Sequence, residues 1–238
     1  MIGVFRAAWI IARKDLVVEA RSRELAYTTL FFALSCVLVF SFALVHGAES
    51  PGADRATDAA FHSQLAAGIL WVSIAFSGTL ALGRTFERER QSETLRALLL
   101  APVEHAAVYL GKLVTLLVLM FGVDLVVLPV VGFLFDAPLG AAPGLLLGVI
   151  AAGTLGFAAV GTLFAAMLVR AHSRDVLLPI LLYPIAIPVI LAGVRGTAAI
   201  FAAEPDLGSA FLWFSMLVFF DLVFVTLALW TFGPAMGE

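Results

Sequence analysis

The sequence predicts an all-α, polytopic membrane protein with six transmembrane helices. Three observations predict it. The 238 residues are 62% hydrophobic and 13% charged, with a mean hydropathy of +1.07, whereas a soluble domain carries about 25% charged and 45–50% apolar residues. The apolar residues fall in blocks long enough to cross a bilayer, for which a helix needs about 20. The basic residues cluster between alternate blocks, as the positive-inside rule requires of a multi-pass chain.

The elements follow in order. Residues 4–23 read as an interfacial helix. Phe5, Trp9, Ala12 and Leu16 lie in a narrow stripe, and Arg6, Arg13 and Lys14 flank Trp9, a pattern suited to a helix lying at headgroup level. Glu19 and Arg23 extend the stripe with charge, so that end must face water or a partner. No compact apolar region with a small-residue cleavage site is present at the N-terminus, so no cleavable signal peptide is expected. The first span is expected from Leu25 to Val45 and is closed by HGAESPGADRATDAA; the second runs from Phe61 to Leu82 into a dense charge cluster. The third is expected from Ala106 to Phe135, interrupted by Pro129, and the fourth from Leu145 to Val169. The fifth, from Val176 to Val194, contains Pro179, Pro184 and Pro188, and the sixth runs from Phe211 to Phe232.

Twelve of the fourteen Lys and Arg residues fall on one side of this arrangement, leaving Arg55 and Arg195 on the other. The rich side is therefore expected to be cytoplasmic, and an even number of spans places both termini there. The single cysteine, Cys36, lies in an apolar block, which excludes a disulfide framework or a C-x-x-C redox pair. The chain has no phosphate loop, since Gly111-Lys112 lacks the upstream glycine and the hydroxyl residue, and no H-E-x-x-H or G-x-S-x-G motif. Energised work would have to be driven by ATP hydrolysis on another chain.

The most informative segment outside the spans is RTFERERQSETLRALLLAPVEHAAVYLGK, Arg84 to Lys112. Its mixed-sign charges give way to Leu95, Leu98, Leu99 and Leu100, and Pro102 breaks the helix before the third span. A short amphipathic helix over residues 84–105 suits insertion into a groove on a partner protein. From the residues alone, an interfacial loop that snorkels its arginines fits as well.

A surface helix, a span, a short outer loop and a second span leading into this segment resemble the permease subunits of ABC-2-type exporters. More narrowly, the chain resembles the haem exporter protein B (CcmB) family of the cytochrome c maturation system. The resemblance rests on KDLVVEARSRE, on FSGTLALGRTFERERQSETLRALLLAPVEHAAVYLGK, on SRDVLLPILLYPIAIPVILAGV and on termination soon after the sixth span. It implies a single permease domain over residues 1–238 with the ABC-2-type permease fold, in the bacterial inner membrane, with no catalytic site of its own. It implies as partners two copies of an ATP-binding subunit, a second copy of the chain, a haem-handling membrane subunit, a small single-span subunit and a haem chaperone. Haem would be the substrate handled by the complex, and no resident cofactor or metal is assigned. Residues 84–105 would then carry the coupling helix, with Glu87, Glu89, Arg90, Glu93, Leu95 and Leu98 as contacts to the ATPase and Arg170 to Asp175 as a smaller contact.

Asp124 and Asp221 are the candidate functional residues within the membrane. Each would cost roughly 2.5–3.5 kcal/mol at the bilayer centre facing lipid, so each must face the protein interior, a partner subunit or a water-filled cavity. A structural, hydrogen-bonded aspartate is the competing reading. His46 and His62 flank the first outer loop, where an interfacial role is expected over iron ligation. Trp9, Trp71, Trp213 and Trp230 fit an aromatic belt, and Gly148, Gly153, Gly156 and Gly161 a close helix seam. Two other functions stay open: an exporter permease for a polysaccharide or lipid, and a secondary transporter or intramembrane enzyme that would need no ATPase, with Asp124 and Asp221 as proton-coupled or catalytic groups.

Overall fold

The computed structural model describes residues 3–45, 55–91, 105–168 and 173–237. Within them the chain forms seven helices and no strand: α1 (Val4–Ser22), α2 (Glu24–Val45), α3 (Arg55–Gln91), α4 (His105–Leu134), α5 (Pro143–Met167), α6 (Arg174–Phe201) and α7 (Leu207–Gly237). The six helices from α2 to α7 are each long and apolar enough to cross a membrane. At 1.5 Å per residue the 30 residues of α4 span about 45 Å, more than the hydrocarbon core of about 30 Å, so α4 tilts or reaches into the headgroup region.

Local chemistry sets the boundaries. α1 ends where Arg23 turns left-handed (φ 53°) and donates its N–H to the carbonyl of Glu19. α4 ends in a Schellman motif: Asp136 is left-handed (φ 50°) and the N–H of Ala137 reaches back to the carbonyl of Gly132 at 3.0 Å. Leu139 then folds over Gly132, where a Cβ would collide with it. Pro143 opens α5 at a position whose N–H has no helical partner to lose.

Three expectations need correcting. Pro129 does not interrupt the third span; α4 runs through it, with the proline on the exposed face. The fifth span continues seven residues past Val194 to Phe201, and none of its three prolines divides it. The last six residues of the outer polar stretch, Arg55 to Ala60, belong to α3.

α5 is the hub, packed against α3, α4, α6 and α7, while α2 lies on the flank formed by α3 and α4. The glycines of α5 explain how. Gly153 receives the ring of Trp71 from α3, Gly161 the side chain of Leu82 from α3, Gly156 the carboxyl of Asp221 from α7, and Gly148 the ring of Phe214 from α7. They are sockets for large side chains from two neighbours rather than a single backbone-on-backbone seam. Trp71 is therefore a core residue, not part of an aromatic belt: it is 1% exposed, lies between Gly153 and Gly193, and donates its Nε1–H to Thr197 Oγ1 at 3.0 Å. Tyr109 ties α4 to α5 through a 3.1 Å hydrogen bond to the carbonyl of Ala159 and packs its ring 5.3 Å from that of Phe232. The least buried spans are α7 and α2, and their outer faces carry Phe211, Phe219 and Trp230, and Phe31 and Phe42. Such faces suit a lipid solvent, in which apolar exposure costs nothing.

Candidate functional site

α1 is joined to the bundle by small residues and one ion pair. Ala7 and Ala8 pack on Ala107, and a Cβ on Gly111 would meet the Ala8 carbonyl and Ile11 at 2.9 Å, so α1 lies directly on the first turns of α4. Phe5 and Trp9 point away and are largely exposed, as a helix at headgroup level requires. Lys112, two turns into α4 and 2% exposed, reaches Asp15 of α1 at 2.5 Å, and Asp15 also takes Lys14 at 3.1 Å. The sequence reading counted Lys112 among the basic residues between spans. A lysine surrounded by apolar residues in a span needs a carboxylate nearby, and Asp15 is the acid that α1 supplies. Glu19 closes the elbow by accepting the backbone N–H of Ala26, in the first turn of α2, at 2.9 Å.

The charged segment begins as a continuation of the second span. α3 runs unbroken from the apolar block through Thr85 to Gln91, so Glu87, Glu89 and Arg90 lie on its last turns; their side chains, and residues Glu93, Leu95 and Leu98, lie outside the described residues. At the same end of the bundle, Arg84 stands 3.9 Å from Glu24 at the start of α2. A cleft of about 560 Å³ there brings Arg84 together with Asp175, Pro179 and Tyr183 from α6. The ends of α3 and α6 that lead into the two basic loops thus share one face. Of the second loop, residues 169–172 lie outside the described residues.

The two intramembrane acids both lie in the protein interior. Asp124 is 4% exposed and accepts the hydroxyl of Thr154 on α5 at 2.9 Å. Asp221 is 6% exposed and rests on Gly156, and its Oδ1 has no hydrogen-bond partner among the described residues. Thr154 and Gly156 differ by roughly 200° around α5 and 3 Å along it. The two acids therefore flank the hub helix from opposite sides at nearly one depth. They are not brought together, and only Asp124 is satisfied.

At the other end, His62 is half-buried and lines a cavity of about 540 Å³ with Asp136, Phe135 and Phe201; His46 lies outside the described residues. On that side Asp206 caps α7, accepting the backbone N–H of Ser209 at 3.0 Å and its hydroxyl at 2.6 Å. These hydrogen bonds, the hydroxyl first, hold its carboxyl below the usual carboxylate range.

Comparison with known proteins gives the arrangement a lineage. The family model described as CcmB protein matches residues 6–237. A relative named heme exporter protein B, from Bradyrhizobium diazoefficiens, is 26% identical over 204 residues, covering 84% of this chain and 85% of its own length. The chain belongs to the CcmB family.

Proposed function

We propose that this CcmB-family chain is the permease subunit of an ATP-driven complex for cytochrome c maturation, exporting haem or releasing a haem-loaded chaperone with energy from a partner ATPase. The chain is non-catalytic in this reading. It forms one permease domain in the inner membrane, with both termini and the charged segment on the cytoplasmic side. The observation that carries the proposal is the family match across nearly the whole chain, from α1 to the end of α7. The name of the Bradyrhizobium relative supports haem as the substrate.

The coupling route follows from the extended α3. A helix that is core-packed at Trp71 and continues as one rod to Gln91 transmits a push at its charged end directly to the socket of α5. Residues 84–105 are the docking element for the ATP-binding subunit, present in two copies, with Glu87, Glu89, Arg90, Glu93, Leu95 and Leu98 as contacts. The segment Arg170 to Asp175, which leads into α6, provides the smaller contact. A second copy of the chain, a haem-handling membrane subunit, a single-span subunit and the haem chaperone complete the assembly.

The test is affinity purification of the tagged chain in mild detergent, with mass spectrometry of what remains bound. Recovery of an ATP-binding subunit and a haem-handling subunit, with the ATPase lost in Glu93→Lys and Leu95→Asp, is the expected result. An ATPase without a haem-handling subunit would replace haem by another exported substrate. Recovery of no ATPase would overturn the reading and leave proton coupling at Asp124 or Asp221.

A further inference from the structure

A cavity lies away from both the charged end of α3 and the intramembrane acids, under the elbow between α1 and α2. It measures about 620 Å³ and is lined by α1, α2, α4 and Thr85 of α3. Its two ends differ chemically. The rim carries Lys14, Asp15, Glu19 and Arg23, whereas the interior is formed by Leu25, Leu30, Val118, Leu119, Gly122 and Val123.

Both carboxylates at the rim are already engaged. Asp15 is shared between Lys14 and Lys112, and Glu19 accepts the N–H of Ala26. The rim thus sets two basic side chains, Lys14 and Arg23, beside two carboxylates that already accept from other groups. Arg23 donates to the neutral hydroxyl of Tyr27, 3.5 Å away, rather than to either rim carboxylate. The floor is equally specific. Thr115, Val118, Leu119 and Gly122 follow the spacing of one face of α4, and a Cβ on Gly122 would meet no heavy atom within 4 Å.

We propose that this cavity binds one anionic glycerophospholipid, with an acyl chain along the Val118–Gly122 floor and the phosphate at Lys14 and Arg23. Headgroup-level basic residues beside an apolar slot between helices are the general chemistry of anionic lipid recognition. A haem would be the other amphipathic anion of suitable size, yet none of the residues lining the cavity is a His, Cys, Met or Tyr, so it offers no axial ligand to iron. The lipid would fill the space under the elbow and join α1 to the spans.

Native mass spectrometry of the full chain in detergent tests this, with equimolar phosphatidylglycerol and phosphatidylcholine added after delipidation. Wild type is expected to retain one phosphatidylglycerol in preference to phosphatidylcholine. Arg23→Asn, which tolerates the left-handed backbone, should lower that preference about fivefold, the weight of one basic residue at an anionic surface. Gly122→Phe, whose Cβ enters open space and whose ring is directed at the floor, should abolish retention of both lipids while leaving thermal unfolding unchanged. Equal retention of the two lipids by wild type, or undiminished phosphatidylglycerol in both variants, would overturn the proposal, as would a haem adduct lost with Gly122→Phe.

Discussion

Substitution of Gly153 by alanine tests the idea that α5 works as a row of sockets. The added Cβ would fall well inside van der Waals contact with the six-membered ring of Trp71. The indole cannot slide away, because its other edge lies on Gly193 and its N–H is held by Thr197 at 3.0 Å. Overpacking of this kind costs about 1–3 kcal/mol. Trp71→Ala is expected to cost more, about 3–5 kcal/mol, since it empties a socket that little else can fill. In the double variant the collision no longer exists, so the Gly153→Ala cost should vanish. The pair should then be about 1–3 kcal/mol more stable than the sum of the single changes, within the range seen for residues in contact. Unfolding in mixed micelles of dodecylmaltoside and sodium dodecyl sulfate, followed by far-ultraviolet circular dichroism, measures all four corners of the cycle without relying on the fluorescence of Trp71. Additivity within about 0.5 kcal/mol would refute the socket.

The same unfolding measurement separates the members of two polar contacts. Asp15→Asn strips the buried Lys112 of its carboxylate and should cost about 3–5 kcal/mol, whereas Lys112→Met should cost less because Asp15, at the rim, keeps Lys14. Equal losses would mean that the pair is not buried as described. Asp124→Ala strands the Thr154 hydroxyl and should lose about 1 kcal/mol, while Asp221→Asn should leave stability unchanged, as no hydrogen bond to Oδ1 is broken. If Asp221→Asn abolishes cytochrome c maturation in cells at normal protein level, the carboxyl serves function rather than structure. Asp206 gives a pH signature: its folded pKa is depressed, so its stabilisation is present at neutral pH and lost as the pH falls below the ordinary carboxylate range. Asp206→Ala should flatten that acid limb of the pH–stability curve, and an unchanged limb would exclude the cap as its source.

How much of this was legible depended on contrast in the sequence. The six spans were readable because hydropathy alone distinguishes a bilayer segment, and Asp124 and Asp221 because an acid in such a segment has few places to go. The family resemblance, read from the charged segment and its flanks, agrees with the family match. Which face of each span turns inward was not readable. The protein-facing and lipid-facing sides of α4, α5 and α7 are equally apolar, so periodicity carries no signal there. Trp71 illustrates the consequence: an indole in a span suits an interface or a core, and only the opposed Gly153 and Gly193, 82 and 122 residues away, decide for the core. Lys112 was misplaced for a related reason, since its partner Asp15 lies on a helix outside the spans.

The attachment of α1 to α4 has a consequence for the order in which the protein is made. α1 is synthesised before α4, and Gly111 and Lys112, against which it docks, follow about 100 residues later, after two spans have already entered the membrane. Until then α1 has its own amphipathic surface and the Glu19–Ala26 hydrogen bond to α2 to hold it, and Phe5 and Trp9 would keep it at the bilayer surface. When α4 arrives, Asp15 meets Lys112 as the lysine leaves water. The first helix of the chain is thus a waiting counter-charge for its fourth.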